Sequence, residues 1–188
     1  MYKRQGDDPR EVRKRRETVE RGLGVPLVFV EQVHSADVAI INTPAEAREM
    51  REHARVADAL VTRVPDVALA IMVADCVPVL LAERSNGVIG AAHAGRRGLL
   101  DGVLGATVDA MVSLGASPQN IRAVVGPSVC GKCYEVPEQM ARESVERQPA
   151  LASRTSWGTP ALDLPAGAVV ELQAVGLQRE CIDVIDRC

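Results

Sequence analysis

Aromatic side chains and basic charge are both scarce in this sequence. The chain has one Trp, one Phe and two Tyr, and its formal net charge is -3. Proteins that bind single strands stack bases on aromatic rings, and nucleic-acid-binding domains carry a basic face. The basic run at residues 13–16 is flanked by Glu11 and Glu17, which is typical of a solvated helix face. We therefore expect no nucleic-acid partner.

Long apolar runs and export signals are missing as well. No run is long enough to span a membrane, and the charged N-terminus does not resemble a secretory signal. Five Cys is an odd number, and without an export signal these residues are expected to be reduced thiols. We expect a cytoplasmic protein that contacts no membrane and needs no obligate protein partner.

The sequence also lacks internal repeats and linkers. Its 188 residues suffice for one hydrophobic core, so we predict a single domain over residues 6–188. Residues 1–5 follow no structural pattern and are expected to be non-native. Because the sequence stops directly after a predicted strand, the domain is expected to be a fragment truncated at both ends.

Apolar periodicity and turn residues predict an α+β fold with a mixed sheet. Asp8 and Pro9 predict the start of a helix over 9–21, with Val12 and Val19 facing inward. Asn86 and Gly87 predict a hairpin turn. Strands are predicted near 27–33, 37–42, 67–73, 77–82, 88–93, 121–125 and 181–185. Further helices are predicted over 99–114, 137–146 and 165–175, with a loop or short helix over 44–56.

Three residues that commonly bind metals each follow a predicted buried strand: His34, Cys76 and His93. Two imidazoles and one thiolate form a zinc ligand set that leaves a fourth position open, as catalytic sites do. The same atoms would also serve as a metal-free pair, with the Cys76 thiolate as nucleophile and His93 as base. The sequence does not separate these alternatives. His53, in a polar stretch, is interpreted as a loop histidine.

The turn after His93 is a candidate anion site. Gly95, Arg96, Arg97 and Gly98 lie between a predicted strand and the long predicted helix. Backbone N–H groups at such a junction, together with the two guanidinium groups, suit a phosphate or a carboxylate. The Lys-Ser/Thr element of a P-loop is missing.

Cys130 and Cys133 form a C-x2-C pair in a loop rich in Gly and Pro. A structural zinc site would need a second pair, and Cys181 and Cys188 have the wrong spacing for one. A redox role would require the pair at a helix N-terminus after a strand. We interpret this segment as the wall of a site rather than as a metal or redox centre.

Five short motifs together resemble the YfiH/YlmD family, in an actinobacterial form. This family has long been described as multicopper polyphenol oxidases or laccase-domain proteins. The resemblance runs from about Gly6 to the end of the chain. The motifs are QVHS at 32–35, ADALVT at 57–62, ADCVPV at 74–79, HAGRRG at 93–98, and the segment from GP at 126–127 to CYEV at 133–136.

The resemblance implies a layered α/β/β/α sandwich, shared at a distance with toxin deamidases that use a Cys–His pair. It implies a zinc-dependent purine nucleoside enzyme that phosphorolyses adenosine, inosine and methylthioadenosine and also deaminates adenosine. The implied substrates are a small purine nucleoside and phosphate. The implied metal ligands are His34, Cys76 and His93, with Zn²⁺ as the metal and Cu²⁺ as a possible substitute.

In this interpretation zinc would lower the pKa of a bound water to about 7, and the hydroxide would attack C6 of adenosine and displace ammonia. Asp75 or Glu135 is the candidate general acid/base. Phosphate would lie at the turn of residues 95–98. The alternatives are a copper oxidase of phenols, the metal-free dyad hydrolase or deamidase, and a zinc-binding module without turnover. Three His in total are too few for a multicopper centre.

The chain departs from the family pattern in three ways. Arg96 replaces the Trp that usually follows His-Ala-Gly, so a cation stands where relatives have an aromatic wall. Cys130 stands where many relatives have Gly. The family's N-terminal strands and its C-terminal Ser-x-Arg-Arg segment are absent from this sequence.

Overall fold

Strands and helices are mixed along the chain in the computed structural model, which describes residues 7–188. The expectation for residues 1–5 therefore lies outside the described residues. The strands are β1 (Leu27–Phe29), β2 (Val38–Ile41), β3 (Ala59–Thr62), β4 (Ala68–Ala70), β5 (Val77–Glu83), β6 (Val88–Ala94), β7 (Ile121–Val125), β8 (Ala152–Arg154), β9 (Pro160–Leu162) and β10 (Ile182–Val184). The helices are α1 (Pro9–Leu23), α2 (Pro44–Glu52), α3 (Arg96–Leu100), α4 (Val103–Ser113), α5 (Glu138–Arg147) and α6 (Leu164–Ala174).

A six-stranded mixed sheet has the order β10-β7-β5-β6-β3-β2. The β2–β3 and β7–β10 pairs are parallel, whereas β3–β6, β5–β6 and β5–β7 are antiparallel. The β5–β6 hairpin turns at the predicted Asn86–Gly87 pair, where Gly87 has φ +66°. Two smaller sheets pair β1 with β4 in parallel and β8 with β9 antiparallel.

Two hydrophobic cores lie on opposite faces of the large sheet. Ala59 and Val61 belong to the core that the sheet forms with α4 and α6. Leu60, on the other face of β3, belongs to a second core with β1 and α2. The layers of the fold are therefore, in order, helices, the large sheet, a small sheet and a helix. The predicted α+β class with mixed sheets is confirmed.

Strand β3 is a correction to the sequence prediction, which assigned no strand at residues 59–62. All four residues are buried, so the strand shows no polar alternation. Its neighbours are β2 and β6, and it therefore lies inside the sheet. The β8–β9 hairpin was also not predicted, because each of its strands has only three residues.

The helix predicted over 99–114 is in fact two helices. Gly102 has φ +88°, a left-handed conformation that ends α3 and precedes α4. Glycine adopts this conformation without the steric penalty of a Cβ atom. The second of these helices carries more of the buried residues, which in α4 are Val103, Leu104, Thr107, Val108, Ala110 and Met111.

Helix α1 begins as predicted, because the Asp8 side chain accepts a hydrogen bond from Arg10 N at 2.9 Å. The expectation that Val19 faces inward is wrong, since Val19 is 51% exposed. The face toward the domain carries longer polar side chains instead. The Arg16 guanidinium lies 4.0 Å from the centre of the Phe29 ring, in a cation–π contact.

Within residues 7–188 no helix combines the length and apolar character that crossing a membrane requires.

Candidate metal centre

The structure brings the predicted trio of His34, Cys76 and His93 together. Their candidate ligand atoms all lie within 4.8 Å of one another. Cys76 Sγ is 3.7 Å from His34 Nε2. The two imidazole rings meet edge to face, with centroids 4.7 Å apart. The donor set and its spacing therefore suit one metal ion held by two nitrogens and a sulfur.

The sheet explains this convergence. His93 lies in β6 opposite Pro78 of β5, so the hairpin register places the preceding Cys76 beside the end of β6. His34 comes from the loop after β1. Gln32 joins that loop to the segment before Cys76, because its amide accepts from Met72 N and donates to Met72 O, both at 2.8 Å. This two-point contact holds the His34 loop against the chain leading to Cys76.

Asp58 is a central residue of the site, although no role was predicted for it from the sequence. It directly precedes β3 and is 0% exposed. Its Oδ1 lies 2.7 Å from Nδ1 of His93. A carboxylate in this position accepts the Nδ1–H proton and directs Nε2 of the imidazole toward a metal.

The same carboxylate shapes the His34 loop. It accepts hydrogen bonds from the backbone N–H groups of Val33, His34 and Ser35 at 3.1, 3.0 and 2.7 Å, and from the Ser35 hydroxyl at 3.0 Å. His34 has φ +65°, a left-handed conformation that lets successive N–H groups converge on one anion. Asp58 therefore positions both histidines of the trio.

The electrostatics of the buried pair follow from these contacts. Burial opposes ionisation of Asp58, but the hydrogen bonds from His93 and from the loop backbone outweigh it and lower the pKa to about 2. Burial likewise disfavours the charged form of His93, but hydrogen bonds to Asp58 and Cys76 raise its pKa to about 8. Asp58 is therefore a permanent anion beside the imidazole at neutral pH.

Two glycines of the predicted anion turn are required by close packing. A Cβ atom at Gly95 would lie 2.6 Å from His34 Cδ2 and 3.2 Å from Cys76 Sγ. A Cβ atom at Gly98 would lie 2.7 Å from the carbonyl oxygen of Ser35. These glycines let the turn lie directly against the histidine loop.

The two arginines of the turn differ in their surroundings. The Arg97 side chain is 73% exposed and lies 3.9 Å from Asp101. Arg96 is half-buried, and its Nη1 donates to Ser144 Oγ at 3.4 Å. Arg96 also acts on the half-buried Tyr134. Burial raises the pKa of this phenol, the Arg96 charge lowers it, and the charges of Cys76 and Asp75 raise it. Tyr134 therefore lies within electrostatic range of both Arg96 and Cys76.

The two predicted acid/base candidates lie in different places. Asp75 is exposed, directly precedes Cys76, and accepts a hydrogen bond from Val129 N at its backbone oxygen. Glu135 is exposed, and its Oε2 accepts from the indole N–H of Trp157 at 2.9 Å. The loop carrying Val129 and Tyr134 thus lies against the segment before Cys76. His53 is the exposed residue that follows α2, and it does not belong to the group of candidate ligands.

Cys188 joins the C-x2-C pair, which the sequence spacing did not predict. The sulfur atoms of Cys130, Cys133 and Cys188 lie within 4.8 Å of one another, and all three thiols are free. This is the second group of potential metal ligands among the described residues.

Asp58 was detectable in part from the sequence. It is the charged residue in an otherwise apolar stretch, ADALV, at residues 57–61. A carboxylate at the start of a buried strand needs a partner. The sequence did not reveal that His93, 35 positions later, is that partner.

Comparisons with known proteins agree with this architecture. A model of the family described as multi-copper polyphenol oxidoreductase laccase matches residues 1–188. A purine nucleoside phosphorylase of Streptomyces coelicolor is 49% identical over 175 residues, which cover 92% of this chain and 71% of the relative. A purine nucleoside phosphorylase of Corynebacterium glutamicum is 41% identical over 187 residues, covering 97% and 74%. An adenosine deaminase from an unknown prokaryotic organism is 36% identical over 141 residues, covering 72% and 54%.

Solved structures show the same fold. YlmD from Geobacillus stearothermophilus superposes with a TM-score of 0.86 at 32% identity, covering 97% of this chain and 72% of that chain. YfiH from Bacillus licheniformis superposes with a TM-score of 0.85 at 27% identity, covering 97% and 73%. YfiH-like proteins are therefore its structural neighbours. On its sequence and its fold, this chain belongs to the multi-copper polyphenol oxidoreductase laccase family.

Proposed function

We propose that this protein is a metal-dependent purine nucleoside enzyme whose centre is formed by His34, Cys76 and His93. The observation that carries the proposal is the convergence of two imidazoles and a thiol within 4.8 Å. The names of the relatives support the substrate class, because several are purine nucleoside phosphorylases and one is an adenosine deaminase.

The residues fit zinc. The donor set is two nitrogens and one sulfur, and the Asp58 carboxylate supports the second nitrogen of His93 as zinc-bound histidines commonly require. Zinc in an open three-ligand site supplies Lewis-acid activation of water or of a substrate oxygen at neutral pH. Oxidation of phenols at a multicopper centre is not proposed, since three His in the whole chain do not supply its ligands.

The protein's own groups would divide the remaining work. We assign phosphate binding chiefly to Arg96, because it is half-buried and its charge acts on Tyr134, whereas the Arg97 side chain is 73% exposed. Gly95 and Gly98 would contribute by letting the turn approach the His34 loop. A guanidinium group held in this way binds a phosphate oxygen by charge-assisted hydrogen bonds.

Proton transfer is assigned to Asp75 rather than to Glu135. Asp75 adjoins Cys76 and acts electrostatically on Tyr134, which also interacts with Cys76. Glu135 is held by Trp157. A carboxylate beside the centre is suited to carry protons between the reacting atoms and solvent.

Two reactions are consistent with this assignment. In phosphorolysis the bond from C1′ to the base nitrogen breaks, a phosphate oxygen bonds to C1′, and the base leaves with a proton. In deamination water adds at C6 of adenosine and ammonia leaves, which produces inosine. Only the first reaction needs an anion site, so Arg96 matters for phosphorolysis alone.

Product analysis tests the proposal. Adenosine is incubated with the zinc-loaded protein with and without phosphate. Adenine with ribose 1-phosphate only in the presence of phosphate identifies the phosphorylase, and inosine under both conditions identifies the deaminase. Cys76→Ser should abolish either product, whereas Cys181→Ser, which changes a cysteine outside both thiol-containing clusters, should retain it. Turnover by Cys76→Ser at the wild-type rate would refute the assignment.

A metal-free thiol–imidazole pair is a second candidate, favoured by the 3.7 Å contact between Cys76 Sγ and His34 Nε2. The Cys76 thiolate would be the nucleophile of a hydrolase or deamidase, and an imidazole would be the base. Removal of metal by a strong chelator separates the candidates. Activity that survives chelation supports the pair, and activity that disappears and returns with Zn²⁺ supports the metal enzyme.

A further inference from the structure

Three thiols converge outside the candidate metal centre. Cys130 and Cys133 lie in one loop, and Cys188 comes from the segment after β10. Their sulfur atoms lie within 4.8 Å of one another. The loop folds into a tight turn, because the backbone N–H groups of Cys133 and Tyr134 both donate to the Cys130 oxygen, at 2.9 and 3.0 Å. This turn brings the two thiols of the C-x2-C pair to the same side.

The position of Cys188 follows from the large sheet. The parallel pairing of β7 and β10 continues past the strands, since Ile185 N donates to Val125 O at 2.9 Å. Ser128 N then donates to Arg187 O at 3.2 Å. Cys130 N–H finally donates to the Cys188 sulfur at 3.3 Å. Successive backbone contacts thus deliver the third thiol to the first two.

We infer that Cys130, Cys133 and Cys188 form a second metal site, which binds a thiophilic cation such as Zn²⁺ through three thiolates. Zinc–thiolate bonds of about 2.3 Å place tetrahedral sulfur ligands about 3.8 Å apart. The three sulfur atoms lie at most 4.8 Å apart, so small side-chain rotations would bring them to that spacing. Metal binding would displace the protons of the three thiols, and the divalent cation would offset the repulsion among the resulting thiolates.

The site is open to solvent. Cys133 and Cys188 are exposed and Cys130 is half-buried, so a fourth position is accessible to water. It shares no residue with His34, Cys76 and His93, and its existence does not depend on the proposed reaction. Soft thiolate ligands select zinc or cuprous ions over magnesium or calcium.

The site would also stabilise the wall of the candidate centre. The loop that carries Cys130 and Cys133 contacts the segment before Cys76, because Val129 N donates to Asp75 O at 3.0 Å. Tyr134, the next residue after the pair, interacts electrostatically with Cys76. A cation bound by the three thiols would fasten this loop to the segment that follows β10.

Zinc stoichiometry tests the inference directly. The protein is purified with a phosphine reductant, loaded with Zn²⁺, passed through a desalting column and assayed for metal per chain. We expect two zinc ions in the wild type and in the Cys181→Ser control. We expect one in Cys76→Ser, one in Cys188→Ser, and none in the double variant Cys76→Ser/Cys188→Ser.

Cobalt substitution gives a second measurement that is independent of activity. Thiolate-to-cobalt charge-transfer absorption grows with the number of sulfur ligands. Cys76→Ser should therefore keep most of this absorption, and Cys188→Ser should lose most of it. If Cys188→Ser fails to fold by circular dichroism, Cys133→Ser, in an exposed loop, serves in its place. A folded Cys188→Ser or Cys133→Ser variant that binds as many zinc ions per chain as the wild type would overturn the inference. A change in zinc content that appears only in Cys76→Ser tests the proposed function instead.

Discussion

The Asp58 carboxylate and the His93 imidazole lie 2.7 Å apart, with Asp58 0% exposed and His93 2% exposed. The same carboxylate accepts hydrogen bonds from three backbone N–H groups of the His34 loop. One buried anion therefore orients a histidine of β6 and shapes the loop that presents the other histidine. Its removal should disturb the candidate metal centre although it is not one of the three candidate ligands.

Asp58→Asn should weaken metal binding by about 10- to 100-fold, the range seen when partners of ligating histidines are removed. The amide is neutral, and its NH₂ group would face backbone N–H donors whose hydrogen bonds the carboxylate accepts. Zinc affinity is measured by competition with a chromophoric chelator. Asp37→Asn is the matched control, because the Asp37 side chain is exposed. Equal zinc affinities for the two variants would contradict the role of Asp58.

Gly95→Ala should impair the centre by steric displacement of His34. The new Cβ atom would lie 2.6 Å from His34 Cδ2, closer than such atoms pack. Misplacement of a catalytic group by about 1 Å costs on the order of 100-fold in rate, and we expect such a loss in kcat/KM.

Gly22→Ala controls for the general effect of removing a glycine. A Cβ atom at Gly22 would meet nothing within 4 Å, and its position in α1 favours alanine. Activity of Gly95→Ala comparable to that of Gly22→Ala would show that the ring contact is unimportant.

Arg96→Ala should raise the KM for phosphate about 10-fold or more and leave deamination unchanged, if Arg96 binds the anion. A hydrogen bond to a charged group contributes about 1.5–3 kcal/mol, which corresponds to a change of this size. Arg97→Ala should change the KM less than about twofold, because an exposed charge is screened by water. Steady-state kinetics with varied phosphate distinguish the two. A larger effect at Arg97 would transfer the anion site to that residue.

Glu171 should make stability depend on pH. Its Oε1 accepts from Leu104 N and Gly105 N at the start of α4, and burial raises its pKa to about 7 against an ordinary value of 4.5. The folded state therefore binds a proton more tightly than the unfolded state. Stability should fall as the pH rises from about 4.5 to 7 and level off above that, by at most about 3 kcal/mol.

Glu171→Gln isolates this contribution. Its amide oxygen retains the acceptor for Leu104 N and Gly105 N, but the side chain does not ionise. Urea unfolding at pH 5 and pH 8 should show a smaller decrease for the variant than for the wild type. Both proteins contain the same other titrating groups, including His93, so the difference between their pH profiles reports the contribution of Glu171. Parallel pH profiles would mean that Glu171 ionises normally.

Local sequence signals predicted several elements well. Asn86 and Gly87 mark the β5–β6 hairpin, and the apolar spacing after Gly102 matches the buried face of α4. These features depend on residues close together in the chain. Strand β3 was missed because both of its faces are buried, so Leu60 faces one core and Val61 the other without polar alternation.

In the candidate site, too, some residues were predictable from the sequence and some contacts were not. His34, Cys76 and His93 were predictable as candidate ligands because each stands near the end of a predicted strand, and the apolar periodicity predicted a mixed α+β fold. Two contacts are visible in the folded chain alone: Asp58 holds His93, and Cys188 lies against Cys130, 58 positions earlier. Both contacts depend on strand pairing across the large sheet. Pairing between distant strands is set by the packing of whole faces, and no local pattern of residues encodes it.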